Sequence, residues 1–144
     1  MSVEDIIADM ARAWNAGDGA GWAKHFAEDA DFADVVGRIQ RGRETIATEH
    51  QKIFDTIYQG SHLEYWVTDS RPIGEDILLV HTESTLDVPS GPREGRFEAI
   101  QTKVIKGDKI VAFQNTGKIG IANFTKHDSE LEKLSPQEWR QKNG

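Results

Sequence analysis

Two histidines and one amide carry the spacing from which proton chemistry could be built. His50 follows Ile46 by four residues and precedes Phe54 by four. On a helix that spacing sets the imidazole on or beside the apolar face. There it would serve as a general acid or base, or give a hydrogen bond to a substrate; the competing role is a partly buried histidine bonded to a backbone carbonyl. His81 lies in Leu78-Leu79-Val80-His81-Thr82-Glu83 and shares a strand face with Ile77, Leu79, Glu83 and Thr85. We expect that face to be concave, so that His81 enters an interior cavity; a convex face would turn it to solvent or to a second subunit. Asn115 shares a face with Val111 and Phe113. We expect Phe113 and Asn115 to look inward and Gln114 outward. An interior amide is costly unless paired, so Asn115 should meet a ligand, a water or a histidine. Trp14, Trp22, Phe32 and Phe54 read first as core, and Trp14 is also a candidate ligand contact.

Other chemistries find little support. The 144-residue chain has no cysteine, which removes disulfides, thiol nucleophiles and thiolate metal sites, and fits a reducing compartment. The five histidines, at 25, 50, 62, 81 and 127, show no helix-pair or His-x-His spacing, and no metal site is expected. There is no phosphate loop, dinucleotide fingerprint or nucleophile elbow, and no cofactor is implied. A formal net charge of -7 repels phosphate backbones and argues against nucleic acid. Met1-Ser2-Val3-Glu4-Asp5 lacks the basic and apolar regions of a signal peptide, and no apolar run is long enough to cross a bilayer, so we expect a cytoplasmic protein without membrane contact.

The elements that must position these residues follow from periodicity. Ile6, Ile7, Met10, Ala11 and Trp14 make one stripe of a first helix, with Ser2 as N-cap and Gly17 as its stop. Asp18 caps a short second helix with Trp22, Ala23 and Phe26 on its apolar side, ended by Glu28-Asp29. Residues 30–36 read as a strand broken by Gly37, residues 38–41 as a second extended piece, and a third helix carries Ile46, Ile53, Phe54 and Ile57 as far as Gly60. The period then changes to two. Leu63, Tyr65 and Val67 alternate with His62, Glu64 and Trp66; Pro72 and Gly74 turn the chain; strands follow at 76–88, 96–105 and 109–121, the last two joined by a Lys106-Gly107-Asp108 hairpin. Helices first and a strand meander after them describe an α+β domain with an antiparallel sheet and helices on one face. We place that domain at residues 1–123 and a polar appendage at 124–144, with a helix starting at Ser135-Pro136 and packing weakly through Leu131, Leu134 and Trp139, or across a dimer.

The succession Ala13-Trp14-Asn15-Ala16-Gly17-Asp18, Phe26-Ala27-Glu28-Asp29-Ala30, Gly37, Arg41-Gly42-Arg43 and Ile110-Val111-Ala112-Phe113-Gln114-Asn115-Thr116 resembles the nuclear transport factor 2-like superfamily. Within it the chain looks most like the SnoaL-like and SgcJ-type small proteins, over residues 3 to about 121. The resemblance implies a cone: a strongly curved antiparallel sheet and three N-terminal helices enclosing a pocket, in a domain that is often a homodimer. It does not imply one reaction, because the superfamily includes ketosteroid isomerases, polyketide cyclases, dehydratases, epoxide hydrolases and binding modules.

Ala30-Asp31-Phe32-Ala33-Asp34-Val35-Val36-Gly37 resembles the stretch in which ketosteroid isomerases hold their general base, with Asp34 at the base position. A carboxylate at the rim of a dry cone would have a raised pKa, suited to taking a proton beside a carbonyl; the alternative is a strand-end carboxylate that caps a turn. By the same comparison His50 falls where the isomerases hold a pocket tyrosine. Their oxyanion hole has no match here: Met10 stands at the tyrosine position, and Gln101 or Thr102 at that of the neutral aspartic acid.

Three functions remain in view. The first is a small-molecule-binding domain whose enclosed, mostly apolar pocket offers Asp34, His50, His81 and Asn115 to a small hydrophobic ligand. The second is a cofactor-free acid/base enzyme of isomerase, cyclase or dehydratase type, acting on a hydrophobic carbonyl, polyketide-like or terpenoid substrate. There Asp34 or His50 is the base and His81 or Asn115 polarises the oxygen. The third is a dimeric interaction module with a vestigial pocket. The enzyme requires Asp34 and His50 to converge on one cavity with shifted pKa values; the interaction module requires a filled one.

Overall fold

Ser2 opens helix α1 (Val3–Asn15) through a capping box: its hydroxyl accepts from the Asp5 N–H and the Asp5 carboxylate accepts from the Ser2 N–H. The helix stops where Gly17 adopts φ 67°. The Gly17 N–H donates to Trp14 O and the Asp18 N–H to Ala13 O, the paired bonds of a Schellman ending. Asp18 then caps α2 (Gly19–Ala23) by accepting from the Gly21 N–H. One residue thus closes one helix and opens the next, so the chain reverses within a few positions.

The computed structural model describes residues 1–124. After α2 come strands β1 (Phe26–Ala33) and β2 (Ile39–Arg41), helix α3 (Arg43–Phe54), strands β3 (His62–Gly74), β4 (Ile77–Val88), β5 (Gly95–Lys106) and β6 (Lys109–Gly117), and a last turn of helix, α4 (Ile121–Phe124). The six strands form one sheet in the order β2-β1-β6-β5-β4-β3. Every pairing is antiparallel except β1 with β6, which run parallel, Phe26 beside Ile110 and Phe32 beside Phe113. The meander therefore ends by delivering its final strand to the first one. Register shifts between Val67 and Asp69, between Val104 and Ile105, and between Phe26 and Asp31 bend the strands, as bulges do, and the sheet curves without closing on itself.

The α+β architecture is the expected one, with four differences of detail. Phe26 to Asp29 belong to β1 rather than to the end of α2: Phe26 is buried and the Arg43 guanidinium binds its carbonyl, while α2 lasts only five residues. Val35, Val36 and Gly37 form a turn, with the Gly37 N–H on Asp34 O. The last strand stops at Gly117, and Pro72 lies within β3, whose turn comes at Glu75–Asp76. The appendage expected at 124–144, with its helix start and its packing residues, lies beyond Phe124 outside the described residues.

The inner sheet face packs against α1 and α3. Ile6, Ile7 and Met10 of α1 are buried with Phe26, Ile46, Val80, Ile105 and Ile110. α1 lies on β3, and α2 lies against α3. Gly19 is the closest approach between those two helices: a Cβ there would meet Ala47 O at 2.6 Å and Gln51 N at 2.9 Å. The Gln51 side chain fastens this corner, accepting from the Gly19 N–H and donating to Gly17 O.

Candidate functional site

The cone holds a cavity of about 730 Å³, within the range of small-molecule sites. Six elements each contribute a ring to its wall: Trp14 from α1, Trp22 from α2, Phe32 from β1, His50 from α3, Tyr65 from β3 and Phe113 from β6. These rings support one another. Trp22 stacks on His50 with ring centroids 5.3 Å apart, Phe32 stacks on Phe113 at 4.6 Å, and His50 stands edge-on to Phe32 at 4.8 Å. The Trp14 indole N–H donates to Ser61 Oγ at 2.9 Å, which directs the indole's polar edge to the loop after α3.

His50 is buried, and its Nδ1 lies 2.8 Å from Ile46 O. A carbonyl only accepts, so Nδ1 carries the proton and Nε2 carries the lone pair. Burial pushes the His50 pKa down to about 4, against smaller upward effects of its carbonyl bond and the nearby Asp34 and Glu49 charges. His50 is a neutral base in the cavity wall.

Asp34 lies at the mouth, its side chain 11% exposed. The expected raised pKa is not found. Burial does push the carboxyl up, but it accepts from the Arg38 N–H, the Arg38 guanidinium and the Val36 N–H, and these together hold it below the usual carboxylate range. A carboxylate with three donors is a turn-capping group, and those bonds lower its basicity. Asp34 and His50 do share one cavity, and the imidazole keeps one nitrogen, Nε2, unengaged.

His81 and Thr102 are elsewhere. The phase of β4 is set by Val80, Thr82, Ser84 and Leu86, all buried, of which Ser84 and Leu86 line the cavity. Alternation then turns His81 to the outer face, where Nδ1 meets Asp69 Oδ1 at 2.9 Å. In β5 the inward phase belongs to Gln101 and Lys103, and Thr102 lines a shallow outer groove with Gln114. Asn115 and Phe113 do line the cavity and Gln114 does not. Asn115 meets neither histidine nor an empty interior: its Oδ1 accepts from Gln101 Nε2 at 3.1 Å.

That bond belongs to a polar row across the floor. Gln101 Nε2 also donates to Ser84 Oγ at 2.9 Å, Gln101 Oε1 accepts from Thr82 Oγ1 at 2.7 Å, and Thr82 Oγ1 accepts from Lys103 Nζ at 2.6 Å. Lys103 is wholly buried and its Nζ lies 4.7 Å from the Tyr65 ring centre and 4.4 Å from that of Phe113. None of the ion pairs among the described residues involves it. One hydrogen bond to Thr82 and two ring faces, at about 2 kcal/mol each when desolvated, would have to replace the hydration that an ammonium loses. Burial therefore pushes the Lys103 amine well below its usual range and favours its neutral form.

Three further polar atoms of cavity residues are buried without a well-formed hydrogen bond: Trp22 Nε1, Gln40 Oε1 and the Tyr65 hydroxyl. Burial raises the Tyr65 phenol well above its usual range, with Thr82 beside it opposing. At the mouth, the Arg93 guanidinium stacks 4.1 Å over the Phe97 ring.

Sequence reasoning passed over Lys103 because a lysine in a strand reads as solvated. The signal was its phase: it alternates in step with Gln101 and Ile105, both buried. Among the described residues no three His, Asp or Glu side chains group closely enough to hold a metal ion, and no helix is long and apolar enough to cross a membrane.

Residues 7–113 match the model of the SnoaL-like domain family. No curated protein sequence matches the chain. Among solved structures, a domain of unknown function with a cystatin-like fold from Nostoc punctiforme superposes with a TM-score of 0.78 at 29% identity, over 96% of this chain and 88% of that one. A cystatin-like protein from Caulobacter vibrioides gives 0.67 at 20% identity, over 90% and 94%. A protein of ketosteroid isomerase-like fold from Catenulispora acidiphila, solved in complex with trimethylamine, gives 0.63 at 18% identity, over 83% and 89%.

Proposed function

This chain belongs to the SnoaL-like domain family, and from there we propose that it is a small-molecule-binding domain whose cone takes one mostly apolar, ring-containing ligand. The observation that carries this reading is the cavity of about 730 Å³ walled by Trp14, Trp22, Phe32, Tyr65 and Phe113. Polar groups that can meet such a ligand include Asn115 on the floor and His50 in the wall. Such a lining stabilises a ligand through apolar burial and selects it through a small number of hydrogen bonds. Trp14 and Trp22 report occupancy directly. Titration with 2-naphthol should quench tryptophan emission saturably at one ligand per chain, and native mass spectrometry should show what co-purifies. Quenching that stays linear in ligand concentration would sink the reading.

A second reading, a cofactor-free acid/base enzyme, is favoured by the His50 tautomer. A neutral imidazole with Nε2 unengaged can take a proton from carbon beside a ligand carbonyl. In this role Asp34 acts through its charge on His50 rather than as the base itself. Exchange of the α-protons of 2-tetralone in D₂O, followed by NMR, tests it: exchange above background that disappears in His50→Gln supports it, and background exchange excludes it for that ketone.

As a dimer, the chain would use its outer sheet face, where Trp66 and Ile100 flank Glu83 and are 41% and 40% exposed. Sedimentation at micromolar concentration decides this, a monomer counting against it. A cytoplasmic location completes the proposal and is testable by fractionation.

A further inference from the structure

We propose that Lys103 is a covalent docking point for carbonyl compounds: its side-chain amine, held by Thr82 behind the Tyr65 and Phe113 rings, condenses with an apolar aldehyde or ketone that fills the cavity. This rests on the reading of the cone as a small-molecule site, and it names the ligand class.

The floor network fixes where the hydrogens are. Gln101 Nε2 has two, spent on Ser84 Oγ and Asn115 Oδ1. That orients the amide and leaves Oε1 toward Thr82, where it can only accept. The Thr82 hydroxyl must give its one hydrogen to Oε1. Toward Lys103 it can therefore only accept, so Nζ donates. Lys103 spends a hydrogen on this bond, and the lone pair of the neutral amine is left free. An amine without a counter-ion, stripped of water and with its lone pair unspent, is a nucleophilic lysine. The exposed Lys24, Lys52 and Lys118 instead sit beside carboxylates, 60%, 65% and 44% exposed.

Nζ does not itself line the cavity, but both rings that cover it do. Condensation therefore requires Tyr65 or Phe113 to turn aside so that a ligand carbonyl can reach Nζ. The lone pair attacks the carbonyl carbon and the C=O π pair moves to oxygen. The carbinolamine then loses that oxygen as water, taking both amine hydrogens, and a C=N bond joins ligand to Lys103. No oxidant, metal or second substrate is needed, and hydrolysis reverses the step.

The test uses the full chain, cinnamaldehyde and sodium cyanoborohydride, which reduces an imine to a stable secondary amine. Peptide mapping by mass spectrometry then locates the adduct. Lys103 should be the principal labelled lysine at pH 6. Surface amines gain their neutral form only toward the ordinary lysine range at about 10.4, so the ratio of Lys103 to surface labelling should fall as pH rises from 6 toward that range. A Lys103→Met chain should lose that adduct alone. Cinnamyl alcohol, which has no carbonyl, is the control for the cavity itself. If it quenches tryptophan emission saturably but Lys103 stays unlabelled, the covalent proposal is overturned and the binding site stands. If it fails to bind and Lys103 stays unlabelled, both fall. A labelling ratio independent of pH would also overturn the proposal, since Lys103 would then titrate like a surface amine.

Discussion

Asn15 pairs with the main chain of Leu63 twice: its amide donates to Leu63 O at 3.1 Å and its Oδ1 accepts from Leu63 N at 2.7 Å. One side chain thus imitates a neighbouring strand and clasps the end of α1 to the start of β3, next to the Trp14–Ser61 bond. Asn15→Ala removes both bonds and leaves a part-buried N–H and carbonyl short of partners. We expect a loss of about 1–3 kcal/mol, read as a lower urea midpoint. Asn15→Asp keeps the acceptor and should fall between Ala and wild type.

Gly19→Ala ought to help a helix by about 1 kcal/mol on propensity alone. Here the new Cβ would stand 2.6 Å from Ala47 O, which is main chain and cannot swing aside. α2 and α3 must separate, and Trp22 and His50, stacked across that junction, separate with them. We expect net destabilisation of about 1–3 kcal/mol and weaker 2-naphthol binding. A stabilised variant would show that the junction is looser than its distances.

His50 sets an acid limit. Its folded pKa of about 4 lies below the ordinary 6.5, so between these values the unfolded chain binds the extra proton. Stability is then lost as pH falls from about 6.5 to 4, by about 3 kcal/mol in all. His50→Phe should flatten this limb in urea titrations between pH 7 and 4. An unchanged slope would mean that His50 is not held neutral.

Lys103 acts on the other side of neutrality. Because its folded pKa is lowered, the unfolded chain carries a proton that the folded chain lacks. Stability should therefore rise with pH toward the ordinary lysine value of 10.5, by up to about 1.4 kcal/mol per unit. Tyr65, raised by burial, reverses the trend above about pH 10. Lys103→Met keeps the length and removes the amine. It should raise the urea midpoint at pH 7 and level the slope between pH 7 and 9.

Asp34 separates a structural role from a chemical one. Asp34→Ala strands the N–H groups of Val36 and Arg38 and should cost about 1–3 kcal/mol. Asp34→Asn retains an acceptor for them and should cost less. Neither should shift the 2-naphthol Kd more than about twofold. A large loss of binding in Asp34→Asn at full stability would place the carboxylate in contact with the ligand.

Much of the scaffold was legible from local rules. Ser2, Gly17 and Asp18 announced their caps because capping depends on residues three or four positions apart. The strand alternation also placed Phe113 and Asn115 inward and Gln114 outward. What failed was phase and pairing, which depend on distant partners. His81 was assigned inward because Leu79 and Ile77 looked like a core stripe, yet Val80, Thr82 and Ser84 face the core: a polar inner stripe hides itself. Lys103 was hidden for the same reason. Phe26 read as helical because nothing local reveals that Ile110 lies beside it. Asp34 looked like a base until the turn that follows it brought the Val36 and Arg38 donors to its carboxylate.

The parallel seam between β1 and β6 has a consequence for how the molecule comes to exist. On the side away from β2, residues 26–33 find their neighbours at 110–114, so this pairing must overcome the loop-closure entropy of nearly the whole domain. The hairpins from β3 to β6 close shorter loops and can form earlier. Until β1 docks, the aromatic trough of Phe113 and Tyr65 lies open along one side, an aggregation-prone surface during synthesis. A compound that occupies the finished cone binds the folded chain alone and stabilises it by mass action. The cell's supply of that compound would then govern how much of the protein survives, and refolding yield with and without added 2-naphthol would measure the coupling.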